Sequence, residues 1–199
     1  QRHAEALPAY QRAVALAPDL AAGWSQLGQL LQDDPARRDE ARQAFTQALA
    51  HGADPVLHGY FLAALGTGTT PPASPAGYVR GLFDHYADDF EPHLLDVLHY
   101  RAHAAVVAAA AKLCTPPLAS ALDLGCGTGL CGPLLRPLAR RVQGVDLSPT
   151  MLERARLRGS YDLLAQADIA AYLQSSSDRH QLVVAADVFI YVGDLAPVF

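Results

Sequence analysis

The stretch "ALDLGCGTGLCG", Ala121–Gly132, sets four glycines within eight residues directly behind a short apolar run. Such a run ending in glycines reads as a strand that leads into a tight turn. Glycine enters left-handed backbone without a steric penalty and carries no side chain to hold a ligand off. From this point the sequence alternates, with strands expected at 119–124, 141–146, 161–165 and 181–186 and helical patterns between them. Alternation of that kind specifies an α/β domain with a doubly wound parallel sheet. Ligands of such sheets sit beyond the carboxyl ends of the strands, where the strand order reverses. The glycine turn, following the first strand, occupies that place.

Two ligands fit a glycine turn there. Gly127, Gly129 and Gly132 satisfy G-x-G-x-x-G, with Asp146 about 20 residues further on as a ribose acceptor, which points to an NAD-binding Rossmann oxidoreductase. The other frame is Asp123 followed by Gly125, Gly127 and Gly129. This "LDLGCGTG" resembles motif I of class I S-adenosylmethionine-dependent methyltransferases, Asp/Glu-x-Gly-x-Gly-x-Gly, without departure. Chemistry separates the frames. A dinucleotide brings a pyrophosphate, which wants bare amides and a positive helix end. S-adenosyl-L-methionine has no phosphate but carries an ammonium, and a carboxylate two residues before the first glycine suits that ammonium and repels a pyrophosphate. Asp123 therefore favours the methyltransferase frame.

The resemblance implies a Rossmann-like class I methyltransferase sheet with S-adenosyl-L-methionine as cofactor, held by Asp123, Gly125, Cys126, Gly127, Thr128 and Gly129. In "VQGVDLSPTMLERAR", Asp146 ends the second strand, where its carboxylate can accept from both ribose hydroxyls. Ser148 then caps a helix with Pro149 at its first position. The resemblance places Leu147 and Met151 against the adenine, Asp168 at the adenine amino group with Ile169 alongside, and Ala185 at the end of the fourth strand. Asp187 and Tyr191, after that strand, are the nearest catalytic candidates. The segment "YVRGLFDHYADDFEPHLLDVLHYRA" sharpens the resemblance to bacterial methyltransferases with amino-terminal tetratricopeptide repeats. It implies that the helices between Tyr78 and Leu113 lie over the cofactor, with Tyr86, Phe90, Tyr100 and Arg101 as lid or carboxylate contacts.

The repeat itself is read in the first third of the chain. Ala6, Tyr10 and Ala13 align with Ala41, Phe45 and Ala48, while Trp24, Leu27 and Gly28 share their spacing with Leu62, Leu65 and Gly66. This resembles the tetratricopeptide pattern Trp-x2-Leu-Gly, then Ala-x3-Phe and a closing proline, here Pro18. Small residues let helices approach, and rings fill the spaces between them. The Gly/Pro/Thr/Ser run "GTGTTPPASPAG" reads as a linker. The expected organisation is all-α repeat helices at 1–66, a linker at 67–77 and the methyltransferase domain at 78–199. After the linker, one helix is expected over "YVRGLFDHYADDF" and another from Pro92 to Leu113, the latter carrying His99 and His103 on one face. No third ligand accompanies that pair, and no metal is expected.

With 51% apolar residues and a net charge of −5, the chain has the composition of a soluble globular protein without a basic surface for nucleic acid. Its longest apolar run falls short of a membrane span. Three cysteines without a framework of spacings argue for reduced thiols and a cytoplasmic setting. "AADVFIY" lacks the Asn/Asp-Pro-Pro-Tyr/Phe motif of amide and exocyclic-amine methyltransferases, which leaves a small molecule or a protein as acceptor and a protein as the partner of the repeats. A non-catalytic repeat scaffold with a vestigial cofactor domain is the alternative. A sheet of this class has about seven strands. Only four can be placed, so the chain is expected to be a carboxyl-terminally incomplete piece of a longer protein.

Overall fold

The computed structural model describes residues 2–69, 73–192, 195–196 and 198–199. The chain divides into two units at Pro75/Ala76. The first consists of α1 (Arg2–Leu16), α2 (Ala21–Leu31), a 3-10 turn (Pro35–Arg37), α3 (Arg38–Ala50) and α4 (Pro55–Ala64). Each helix packs on the next. Val14, Leu27, Leu31, Ala41 and Ala44 form the core, with Tyr10 and Trp24 against it. Phe45 is fully buried. Its ring stacks on Phe61 at 4.8 Å, and the His58 ring meets it edge-on at 5.9 Å. Gly28 lies so close to Phe45 that a methyl group there would come within 2.6 Å of the ring. Asp54 starts α4 by accepting from the Val56 and Leu57 amides at 2.8 and 2.9 Å. The triplet Leu62, Leu65 and Gly66 does not open another helix as Trp24, Leu27 and Gly28 do. Leu65 is the carboxyl cap of α4, and Gly66, at φ +84°, turns the chain out of it.

The second unit opens with α5 (Ala76–Glu91), a π-helical turn (Pro92–Val97) and α6 (Ala102–Leu113). The helix expected from Pro92 to Leu113 is thus interrupted. Pro92 has no N–H to close an i→i−4 bond, and the turn widens accordingly. Leu98 N–H reaches back to His93 O, and Tyr100 N–H to Leu94 O, each at 3.0 Å. His99 stands in the break at φ +51°, so it and His103 do not share a helical face.

Four parallel strands follow: β1 (Leu118–Leu124), β2 (Ala139–Asp146), β3 (Leu163–Gln166) and β4 (Leu182–Ala185), in the order β3-β2-β1-β4. Sheet order reverses between β1 and β4, so the glycine turn lies at the switch point, as its position in the sequence implies. β3 starts two residues later than expected. Tyr161 precedes it and sends its hydroxyl to Asp123 rather than pairing in the ladder. Between the strands lie α7 (Gly132–Leu135), α8 (Pro149–Leu157) and α9 (Ile169–Ser175), and a 3-10 turn, Phe189–Tyr191, follows β4. Leu118, Ala121, Leu135, Val142 and Val184 pack one face of the sheet, and Leu122, Leu124, Val145 and Ile169 the other.

Ser148 caps α8, accepting from Met151 N–H at 3.1 Å, and is almost wholly buried. Ser148→Ala is expected to cost about 1–2 kcal/mol, read as a lowered urea midpoint at unchanged slope.

Candidate functional site

The turn after β1 is built from left-handed glycines: Gly125, Gly127 and Gly129 have φ of +65°, +53° and +89°. At Gly127 a methyl group would meet no atom within 4 Å. Its glycine is required by the backbone, and the space over it is open. Asp146, at the end of β2, fixes this turn. One carboxylate oxygen accepts from Gly127 N–H at 2.8 Å and the other from Ser148 N–H at 2.9 Å. Burial pushes the Asp146 carboxyl up in pKa, against the pull of these amides.

Asp123 sits on β1 beneath the turn and is 1% exposed. Tyr161 donates its hydroxyl to Asp123 Oδ2 at 2.7 Å. Burial raises the Asp123 carboxyl to about 7, the Asp146 charge adds to the rise, and the Tyr161 and Cys131 groups oppose it. None of these neighbours is cationic, so an ionised Asp123 is a buried charge in want of a counter-charge. The folded value lies above the ordinary carboxyl value of 3.8. The group's contribution to stability is therefore full at acid pH and is lost as the pH rises through about 7. Unfolding free energies of the wild type and Asp123→Asn, compared between pH 5 and 8, should diverge in that direction.

A cleft opens between the turn and the helices before the sheet. Asp123, Gly125, Cys126, Thr128 and Cys131 line one side, and Phe90, Leu94, Tyr100 and His103 the other. Tyr100 stacks on the His103 ring at 5.5 Å. Burial, then the charges of Asp187, Cys131 and Asp123, push the Tyr100 hydroxyl up to about 12. Burial also raises the Tyr191 hydroxyl, with Asp187 adding to it. Asp187 itself is exposed and left-handed, at φ +58°. That conformation costs an aspartate free energy, and it occurs at the strand end that faces the cleft. Tyr191 is tied to α5, its ring edge-on to Phe83 at 5.3 Å.

The other sequence candidates are spread around this centre. Met151 is buried in α8, Leu147 is half-buried beside Asp146, and Ile169 is buried in the sheet core. Asp168 is the amino cap of α9, accepting from Ala171 N–H at 3.0 Å, and is exposed. Ala185 ends β4, and Arg101 is exposed at the amino end of α6. The partners of Asp123, Tyr161 and Cys131, were not legible. Tyr161 is 38 residues away, and only the sheet's register brings it under the turn. Among the described residues no group of His, Cys, Asp or Glu could hold a metal ion, and no helix is long and apolar enough to cross a membrane.

Residues 121–198 match the family described as a methyltransferase domain. Over 78 residues the chain is 35% identical to nodulation protein S of Bradyrhizobium diazoefficiens, covering 39% of this chain and 37% of that protein. Over 85 residues it is 38% identical to methyltransferase-like protein 27 of Homo sapiens, covering 42% and 35% respectively. The chain thus spans just over a third of the length of these curated relatives. Among solved structures, the magnesium protoporphyrin IX methyltransferase of Synechocystis, with bound SAH, superposes with a TM-score of 0.47 at 23% identity, over 58% of this chain and 60% of that one.

Proposed function

We propose, from the premise that residues 121–198 are a methyltransferase domain, that the chain binds S-adenosylmethionine over the glycine turn and passes its methyl to a small-molecule or protein acceptor. The observation that carries this reading is a pair of carboxylates, the buried Asp123 and the half-buried Asp146, on either side of an open, left-handed glycine turn. None of the groups that act on Asp123 among the described residues is cationic, and the ammonium of the methionine end would supply a counter-charge. Asp146 retains lone pairs beyond those its two amides use, and these would take the ribose hydroxyls. Met151, Leu147, Ile169 and Asp168 would form the adenine end. Ala185, Tyr100 and Arg101 would serve the methionine end.

S-adenosylmethionine supplies, when bound, an electrophilic methyl on a sulfonium. The chain's own tasks are alignment and exclusion of water. Phe90, Leu94 and Tyr100 cover the cleft side away from the sheet. Asp187 and Tyr191 stand where an acceptor would approach. Asp187, exposed and ionisable, would hold or take the acceptor's proton, and Tyr191 would orient it. The helices of residues 1–66, read as tetratricopeptide repeats, would recruit a protein partner.

Calorimetry with S-adenosylmethionine, S-adenosylhomocysteine and NAD tests the reading. Binding of the first two and not the third is expected, and binding of NAD alone would overturn it. Because the ammonium requires an ionised Asp123, affinity should weaken as the pH falls through about 7, by up to about tenfold per unit.

A further inference from the structure

Beyond the groups that would touch a cofactor, one side chain joins the helix over the cleft to the turn beneath it. Arg158 follows α8 as its carboxyl cap. Its Nε donates to the Thr128 carbonyl at 2.7 Å, and its Nη2 meets Glu91 Oε2 at 2.5 Å. Thr128 lies between Gly127 and Gly129, the residues of the turn with the softest backbone. Glu91 is the last residue of α5, next to Phe90, which lines the cleft. Both charged side chains are about 28–29% exposed, a setting in which a pair is worth more than at an open surface. Burial disfavours the charge on Glu91, yet Arg158 holds its carboxyl below the ordinary range.

Two further ties run along the same face of α5. Asp84 accepts from Ser148 Oγ at 2.5 Å, and Asp88 pairs with Arg154. Carboxylates at 84, 88 and 91 have the spacing of one helical face. That face is turned to α8, while Phe90 faces the cleft. The Arg158 tie also reaches the backbone of the glycine turn, and Glu91 itself lies beside the Thr128 side chain.

We propose that Arg158 is a positioning residue that sets the Thr128 peptide and the end of α5 together, so that the cofactor turn and its cover are ordered as one. The role depends on the fork of the guanidinium, whose separate N–H groups serve the carbonyl and the carboxylate at once; an ammonium is a single point charge. The proposal rests on the reading of the cleft as the S-adenosylmethionine site, but its first test does not.

Hydrogen exchange of the full chain without ligand, followed by mass spectrometry, reads the segments 125–131 and 86–97. Arg158→Gln should speed exchange in both, by about tenfold if one charge-assisted hydrogen bond is lost from each contact. Glu91→Gln should speed the second segment and leave the first nearly unchanged. Arg158→Lys, the milder replacement, should keep the fold and still release 125–131. In calorimetry, Arg158→Gln should bind S-adenosylhomocysteine about tenfold more weakly, and adding Glu91→Gln should cost less than it does alone. Unchanged exchange in 125–131, or equal acceleration through the whole second unit, overturns the proposal. If the wild type takes up no S-adenosylhomocysteine while the exchange pattern holds, the cofactor reading fails and the positioning role stands.

Discussion

Asp146→Ala is expected to weaken S-adenosylmethionine binding by about a hundredfold, corresponding to roughly 2–3 kcal/mol. Two losses combine. The ribose would lose its charged acceptor, and the turn would lose its anchor, since Asp146 holds both Gly127 N–H and Ser148 N–H. The second loss distinguishes this site from a plain ligand contact. Asp146→Asn leaves one oxygen but turns an NH2 group towards one of the two amides, so it should recover little. Thermal shift with S-adenosylhomocysteine gives the same comparison by another route. The wild type should gain several degrees at saturating ligand, and Asp146→Ala should gain almost none. Equal affinity in the two proteins would remove Asp146 from the pocket.

Phe45→Ala should cost the helical unit about 3–5 kcal/mol, the usual penalty for removing a buried ring from a close-packed core. Phe45 is fully buried, stacks on Phe61 and covers Gly28. Gly28 brings no side chain of its own to fill the space the ring would leave. Residues 1–75 form a separate unit with its own core, so this loss should appear there. Exchange protection in α2 and α3 should fall, while the sheet strands keep theirs and S-adenosylhomocysteine binding persists. Loss of binding in Phe45→Ala would mean that the two units fold together.

What was legible in the sequence was local. The apolar run before Gly125, the acid at the end of the second strand and the Ser-Pro start of α8 each declare themselves within a few residues, and each is where expected. Position 92 misled. Apolar residues on both sides of Pro92 keep helical spacing, but a proline that follows directly on α5 opens a π turn and then a break at Leu98–Arg101. Periodicity records which residues are apolar; it does not record a missing N–H. The pairs Tyr161–Asp123, Asp84–Ser148 and Arg158–Thr128 lay beyond reach for a different reason. They are made by sheet register and helix packing between segments 30 or more residues apart.

The strand order β3-β2-β1-β4 sets the proposed donor and acceptor residues on different strands. β1 and β2, each hydrogen-bonded on both sides, carry Asp123 and Asp146, the two carboxylates assigned to the methyl donor. The segment that bears Asp187 and Tyr191 follows β4, which among the described residues pairs with β1. On the proposed reading, the two donor carboxylates stand on the middle strands of the described sheet, and the acceptor candidates follow a strand at its margin. Descendants of such a chain could exchange one acceptor for another through changes after Ala185 while inheriting the donor seat intact.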